Sequence, residues 1–246
     1  MNEFNERNNE NDVVTTLDSF IGQQSLIDTL KVCIAAAKLR NESLGHILLT
    51  GPSGSGKSTL AEAIATELNT NIKVISFNVI KRESDLVAIL TSIGEGEVLF
   101  AENFGSIRSD CVEILYTALD SFCMDLVIGK GPTARSVRLD LPAFTFIATM
   151  DEPCRLPAKL VDCFLVNWKM ESYTVAESVV LAMRCADQMS VKITDEAAEY
   201  LAAYSKGSYR KLKNVLKRAR DFATIRGNGI IDMTIAQNTI ALLTID

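Results

Sequence analysis

His46-Ile-Leu-Leu-Thr50, running into Gly51-Pro-Ser-Gly-Ser-Gly-Lys57-Ser58 and then into a helical pattern from Lys57 to Leu68, is the stretch on which the reading of this chain turns. The short apolar run ending at Gly51-Pro52 predicts a strand and a tight turn. The octapeptide satisfies G-x-x-x-x-G-K-[ST] and lies between strand and helix, the context in which that pattern cradles phosphate. Its glycines let backbone N–H groups turn inward around a β-phosphate, and Lys57 neutralises β/γ charge. The Ser58 hydroxyl can hold Mg²⁺, and the helix N-terminus adds its dipole. Gly51, Gly54, Ser55, Gly56, Lys57, Ser58 and Thr59 are therefore the candidate nucleotide-binding residues of this loop.

Working outward, apolar runs at 72–77, 97–101 and 143–149 alternate with helical patterns at 83–92 and 107–124, which predicts an α/β layer with a parallel sheet. Before the loop, Leu26, Leu30, Cys33, Ile34 and Ala37 recur at helical spacing between Gln23 and Leu39, with Ser25 as the expected cap. Residues 124–141 alternate about a Gly-Lys-Gly-Pro turn, as a hairpin does. From 171 onward the patterns are helical only, at 174–187, 194–204, 208–226 and 232–243. The expected organisation is a tail at 1–16, an α/β nucleotide-binding domain at 17–170 with a hairpin insertion at 124–141, and an all-helical domain at 171–246. Residues 1–12 hold five asparagines and four acidic residues with almost nothing to bury, so they are expected to be disordered.

The 246 residues are 48% hydrophobic and 23% charged, enough for a substantial core, and the formal net charge of −6 excludes a generally basic surface. Contact with DNA would have to be local or borrowed from a partner. No run approaches the ~18 apolar residues of a membrane helix, and the N-terminus is polar, which predicts a cytoplasmic protein with no membrane partner. The six cysteines (Cys33, Cys111, Cys123, Cys154, Cys163, Cys185) show no Cys-x-x-Cys pair, and the one histidine, His46, gives them little help toward a metal site. They read as free, mostly buried thiols. His46 reads as a packing or strand-end hydrogen-bonding residue, and Trp168 as core at the domain junction. Lys206 to Arg220 holds seven basic residues, which either touch DNA or form a solvated helix face paired with nearby acids.

Hydrolysis asks for a second strand ending in Asp-Glu, one carboxylate for Mg²⁺ and one to activate water. Val98-Leu-Phe-Ala-Glu102-Asn103 is the candidate. Glu102 stands in the metal position, one methylene longer than Asp. Asn103 stands where the activating Glu belongs, and an amide orients water without accepting its proton. Because general-base help contributes ~10²–10⁴ in rate, this position predicts slow turnover. Both are also ordinary polar residues for a strand end, and spacing leaves that alternative open.

Leu17-Asp-Ser-Phe-Ile-Gly-Gln23, the phosphate loop, Asp85-Leu-Val-Ala-Ile-Leu-Thr91, Glu97-Val-Leu-Phe100, the segment from Leu126 to Pro142 and Arg220-Asp-Phe-Ala223 together resemble the RuvB family, the AAA+ motors of Holliday-junction branch migration. The match runs from about Leu17 to the last residue, and the Ile-Gly-Lys-Gly-Pro-Thr-Ala-Arg-Ser hairpin is its most specific part. The resemblance implies a P-loop AAA+ sheet flanked by helices, a small helical lid, and a homo- or hetero-oligomeric ring with ATP between protomers. It also implies docking of the hairpin, here 127–139, onto a RuvA-like junction-binding protein. Arg210, in Gly207-Ser-Tyr-Arg210, matches the sensor-2 arginine, with Ser208 as helix cap. Tyr173 matches a tyrosine beside the nucleotide, Phe122 lies in a segment expected to approach it, and Ile21 and Gly22, in the Leu17–Gln23 segment, are further candidate nucleotide-binding residues.

The departures from the family cluster on chemistry. Where members carry Leu-Arg-Asp-Arg-Phe with arginine fingers, this chain has Leu160-Val-Asp-Cys-Phe164, and such a finger contributes ~10³–10⁵ in turnover. The sensor-1 position holds Asp151, which puts a negative charge near the phosphates. The basic segment that touches nucleotide in the family becomes Asp12-Val-Val14, and the family's C-terminal winged-helix domain would begin where this sequence stops. Two functions are expected from this pattern: a RuvB-like ATPase in recombination and repair with weakened hydrolysis, or a catalytically silent, nucleotide-gated interaction subunit.

Overall fold

The computed structural model describes residues 16–128, 135–152 and 156–243. The expected tail at 1–12, the Asp12-Val-Val14 segment, the hairpin tip and Cys154 lie outside them.

In chain order the first unit contains α1 (Gln24–Arg40), β1 (His46–Thr50), α2 (Lys57–Leu68), β2 (Ile72–Ser76), α3 (Glu83–Leu90), β3 (Val98–Glu102) and α4 (Val112–Asp120). It continues with β4 (Cys123–Ile128), β5 (Arg135–Asp140), β6 (Thr145–Met150), α5 (Ala158–Asp162) and β7 (Phe164–Lys169). Five strands form one parallel sheet in the order β2-β3-β6-β1-β7. Strand alternation divides their side chains between two cores. Ile47, Leu49, Val98, Phe100 and Ile147 face α1 and α2, where Leu26, Leu30, Leu60 and Ile64 meet them. Leu48, Leu99, Ala101, Phe146 and Ala148 face the other way, onto Leu86, Leu90, Phe104, Leu115 and Leu119. Covered on both faces, β1 and β6 are buried along their whole length, which is why they read as continuous apolar runs.

The remaining helices are α6 (Val175–Gln188), α7 (Asp195–Ser205), α8 (Tyr209–Arg226) and α9 (Met233–Leu243), with a two-residue parallel pair, β8 (Lys192–Ile193) and β9 (Ile230–Ile231). They close around a third core that includes Leu181, Leu201, Leu212, Leu216 and Ile235, forming a helical lid. Thr174 caps α6 in a reciprocal box with Glu177, and Thr194 caps α7 by accepting from the Ala197 N–H. Among the described residues no helix is long and apolar enough to cross a membrane.

Several local expectations are corrected. Ser25 lies inside α1, and its carbonyl accepts from the Thr29 hydroxyl; the residue before the helix is Gln23, in the left-handed region. The predicted helix at 107–124 is shorter, because a 3-10 turn occupies Ser109–Cys111 and Phe122, at φ 47°, turns the chain into β4. Strand β7 went unforeseen. It sits at the sheet edge, so only Phe164 and Val166 are buried along it while Leu165 and Asn167 face outward. The hairpin is present, with β4 and β5 antiparallel in register from Cys123↔Asp140 to Ile128↔Arg135. Five cysteines are described and all are free, three of them buried. Burial pushes the Cys111 thiol up to about 11 and also raises that of Cys163, which disfavours the thiolate at both. Trp168 packs partly against the core beneath α1.

His46 opens β1 in a cage of Phe122, Phe144 and Phe146, with ring centroids 5.8–6.5 Å away. Its Nδ1 accepts the Phe146 N–H at 3.0 Å, which leaves the proton on Nε2, 2.9 Å from the Leu119 carbonyl it donates to. A second proton would have no acceptor and would break the bond from Phe146, and burial lowers the imidazole pKa below 6.5. The unfolded chain protonates first, so the stabilisation from neutral His46 is complete above pH 6.5 and declines as the pH falls through it. The chain's single imidazole should therefore titrate in its NMR spectrum with a midpoint below 6.5, with the fold losing resistance to urea over the same range. A midpoint at or above the free value would show that the cage does not exclude the charged ring.

Candidate nucleotide-binding site

The buried strand β1 delivers its C-terminal end to a glycine loop. Gly51 N–H donates to the Met150 carbonyl at 3.1 Å, holding the loop's first residue against β6. Gly54, at φ +87°, needs its missing side chain: a Cβ there would stand 2.3 Å from Ser208 Oγ. Gly56, at φ +94°, precedes α2, and a Cβ on it would meet the Tyr173 hydroxyl at 2.5 Å. The loop thus turns tightly beneath the lid, and the 12-residue helix α2 points its N-terminus into the cleft.

A cleft of about 430 Å³ opens over this loop. Ser53, Gly54, Gly56, Lys57, Ser58 and Thr59 form its floor, Glu102, Asn103, Thr149 and Asp151 line it from the strand ends, and Tyr209, Arg210 and Lys213 line it from the lid. At its centre Lys57 Nζ donates to the carbonyls of Gly51 at 2.6 Å and Pro52 at 3.0 Å and pairs with Asp151 Oδ1 at 2.8 Å. Thr149 Oγ1 donates to the Ala101 carbonyl at 3.2 Å, tying β6 to β3 just below the rim. Asn103, at φ 55°, donates its amide to Ser76 Oγ at 3.2 Å.

The lid joins the loop directly. Tyr209 N–H donates to the Gly54 carbonyl at 3.0 Å, Ser208 Oγ donates to the Ser53 carbonyl at 3.1 Å, and Arg210 Nη1 donates to Ser53 Oγ at 2.7 Å. Ser208 occupies the cap position of α8 without a side-chain cap bond, and its hydroxyl is turned toward the loop. Beside the cleft, sharing Thr59 and Tyr209 with it, is an apolar recess walled by Phe20, Ile21, Tyr173 and Leu181 and edged by Arg184 and Gln188. Gly22 stands at this recess, where a Cβ would lie 3.4 Å from the Tyr173 ring. Burial and the Glu177 carboxylate raise the Tyr173 phenol well above its ordinary range, so it stays protonated.

The sequence-predicted residues fall into three groups. Glu102, Asn103, Asp151, Arg210 and the loop converge on the cleft, and Ile21, Gly22 and Tyr173 gather at the adjoining recess. Ser55 and Phe122 do not line the cleft. Ser55 is buried in the loop, its N–H donates to the Pro52 carbonyl, and its Oγ has no partner. Phe122 packs 5.9 Å from His46 at the opposite end of β1, so it stands away from the phosphate loop. Sequence reasoning missed Ser53, Thr149, Tyr209, Lys213, Arg184 and Gln188. The helical spacing of Tyr209, Arg210 and Lys213 at the start of α8 was the available signal.

A divalent cation beside a bound nucleotide takes one or two carboxylates along with phosphate oxygens. The Ser58 hydroxyl and the Glu102 carboxylate, both on the cleft wall, fit that requirement. Because the lid rests on Gly54, Gly54→Ala should force Ser208 off the loop, lower nucleotide affinity at least about tenfold and lower Tm, as calorimetric titration and thermal unfolding would measure. Unchanged affinity would mean that the lid–loop seam does not shape the site.

The chain matches a family profile described as the Holliday junction DNA helicase RuvB P-loop domain over residues 14–170, and one described as the RuvB AAA lid domain over 173–246. Among solved structures it is similar to the RuvB Holliday junction branch migration motor of Thermotoga maritima, at 36% identity and TM-score 0.83, over 94% of this chain and 73% of that one. A point mutant of the same Thermotoga protein matches at TM-score 0.85 and 36% identity, again over 94% of this chain and 74% of the other. With both profiles together spanning nearly its whole length, this chain belongs to the RuvB family of P-loop AAA+ proteins.

Proposed function

We propose that this chain binds ATP with Mg²⁺ in a RuvB-like assembly linked to Holliday-junction branch migration, and that it turns the nucleotide over slowly. The observation that carries the reading is the position of Lys57, at the centre of a cleft whose other walls bring Glu102, Asn103, Asp151 and Arg210 to it. In this reading residues 17–170 and 171–246 act as nucleotide-binding unit and lid. The α2 N-terminus and Lys57 hold β- and γ-phosphate oxygens, and Arg210 reaches them from the lid. Ser58 and Glu102 hold the cation, which supplies charge neutralisation at those oxygens. The apolar recess by Ile21, Gly22 and Tyr173 takes the base.

Slow turnover follows from what the reacting end of the cleft offers. The Asn103 amide is a hydrogen-bond donor tied to Ser76 and accepts no proton from water. Cys163, in the finger segment, donates its thiol to the Lys159 carbonyl of its own helix and carries no charge to lend a neighbouring site. Losses around one reaction centre are not additive, yet the position after Glu102 carries an amide in place of a base and the 160–164 segment carries no arginine.

Partner docking is supported by the hairpin. Met124 and Leu126 face Leu139 and Val137 across the ribbon, and the end toward the tip leaves Val137 and Leu139 exposed. An apolar stripe on a projecting ribbon suits a RuvA-like partner, with a ring of like or mixed subunits behind it in the cytoplasm. The second reading, a silent nucleotide-gated subunit without motor activity, is favoured by the Asn103 and Cys163 environments alone. For direct DNA contact, two of the α8 cations already have company: Arg220 pairs with Asp221 at 2.9 Å, and Lys211 lies 5.6 Å over the Tyr204 ring.

Nucleotide titration beside a steady-state ATPase assay tests these readings. ATP should bind and Lys57→Ala should abolish binding, with turnover well below roughly 1 s⁻¹, the usual lower bound for enzymes. Turnover at or above that rate would overturn the weakened site. An unchanged affinity in Lys57→Ala would overturn nucleotide binding in this cleft altogether.

A further inference from the structure

The main cation of the cleft is already neutralised by the chain itself. Lys57 carries three donors, and three acceptors surround its Nζ: the Gly51 carbonyl at 2.6 Å, the Pro52 carbonyl at 3.0 Å and Asp151 Oδ1 at 2.8 Å. A phosphate oxygen arriving at Lys57 has to take the place of one of them. The two carbonyls belong to the loop backbone, which is held to β6 and to the lid. The Asp151 side chain is 58% exposed while that of Lys57 is 9% exposed, so the carboxylate is the acceptor free to leave.

Once displaced, Asp151 remains two residues past Thr149 on the cleft wall, with Glu102 also lining that wall. The layout gives the cleft a direction. The apolar recess by Tyr173 adjoins the cleft through Thr59 and Tyr209, which line both, whereas Asp151 lines the cleft and not the recess. A phosphate chain that starts from a base in the recess comes nearer to Asp151 with each added phosphate. The charge on Asp151 therefore opposes the distal phosphate most, and it competes directly for the lysine that phosphate needs.

Resting on the reading that this cleft takes a nucleoside polyphosphate, we propose that Asp151 is a specificity-determining residue. It holds Lys57 against the distal phosphate and makes the cleft select a nucleoside diphosphate over the triphosphate. Either nucleotide draws Lys57 toward its β-phosphate, but only the triphosphate brings a further phosphate to the lysine that Asp151 holds, so the carboxylate weighs most against the triphosphate. The closed pair is thus the chain's own stand-in for a terminal phosphate.

The test is calorimetric titration of the full chain with ADP and with ATP, both with Mg²⁺, against Asp151→Asn and Asp151→Thr. An exposed side chain replaced by one of similar size leaves the core untouched, and thermal unfolding of each variant checks this. ATP affinity should rise roughly ten- to hundredfold, the range expected when a charged competitor for one hydrogen-bonded cation is removed. ADP affinity should change less than about threefold. A constant ATP-to-ADP ratio would overturn the proposal while leaving nucleotide binding intact. Weaker ATP binding in the variants would also overturn it, by showing that the carboxylate serves the triphosphate. If neither nucleotide binds the unmutated chain or its variants, the nucleotide-binding reading fails first and this inference goes with it.

Discussion

The structure depends on β1 being buried on both faces and paired in parallel on both edges, with β6 on one side and β7 on the other. A strand so enclosed has water nowhere along its length. Every polar group near it must be satisfied by protein or placed at an end. At the beginning, His46 meets the condition with two specific hydrogen bonds inside an aromatic cage. At the other end, the chain leaves the sheet through glycines and presents backbone amides, Lys57 and the start of α2 to the cleft. The same constraint therefore sets a rigid floor at one end and a polar opening at the other, and α1 and α2 exist to cover the face that Ile47 and Leu49 would otherwise expose.

That opening is held in a self-satisfied state. Lys57 is bound by two carbonyls and Asp151, Arg210 leans on Ser53, and the Gly54 carbonyl accepts from Tyr209 at the head of α8. Each is a hydrogen bond or ion pair of the sort a polyphosphate also offers, and a ligand can only gain by exchanging them. The two lysine carbonyls and the lid contacts sit on consecutive residues from Gly51 to Gly54. Binding at the loop and movement of the lid are consequently linked through four residues, with no long relay needed between them.

Much of this was legible in the sequence, for reasons that differ from residue to residue. The parallel sheet was readable because its central strands are apolar throughout, and the lid because its helices keep a 3.6-residue stripe against one core. The phosphate loop was readable because each residue type in it answers a backbone or charge demand. Strand β7 escaped because an edge strand buries only alternate residues, and Asn167 and Lys169 break the apolar run. Phe122 was placed beside the nucleotide by resemblance alone, whereas aromatic packing on His46 holds it at the far end of β1. Ser208 has the chemistry of a cap, but its hydroxyl points to the loop, donating to the Ser53 carbonyl, and makes no cap bond to α8. The Lys57–Asp151 pair spans 94 positions, and no periodicity reports a contact of that range.

The hairpin shows how the chain separates what must be stable from what is left available. Two-stranded ribbons are marginal alone, and this one is secured through β4, whose Leu126 also packs against the core. Cys123 and Met124 are buried, Leu141 N–H donates to the Phe122 carbonyl at 2.7 Å, and Arg138 reaches back to Cys123 Sγ at 2.8 Å. Strand β5 is exposed along its whole length, including Val137 and Leu139, whose faces agree with Leu126 and Met124 across the ladder. Apolar side chains on one face of a ribbon contribute nothing to folding when water covers them, and the ribbon's anchorage does not require them. They contribute only when something covers that face. The base of the hairpin rests through Phe122 on the aromatic cage of His46, at the start of the strand whose other end carries the phosphate loop, so the two ends of β1 fix the hairpin and the cleft on one rigid element.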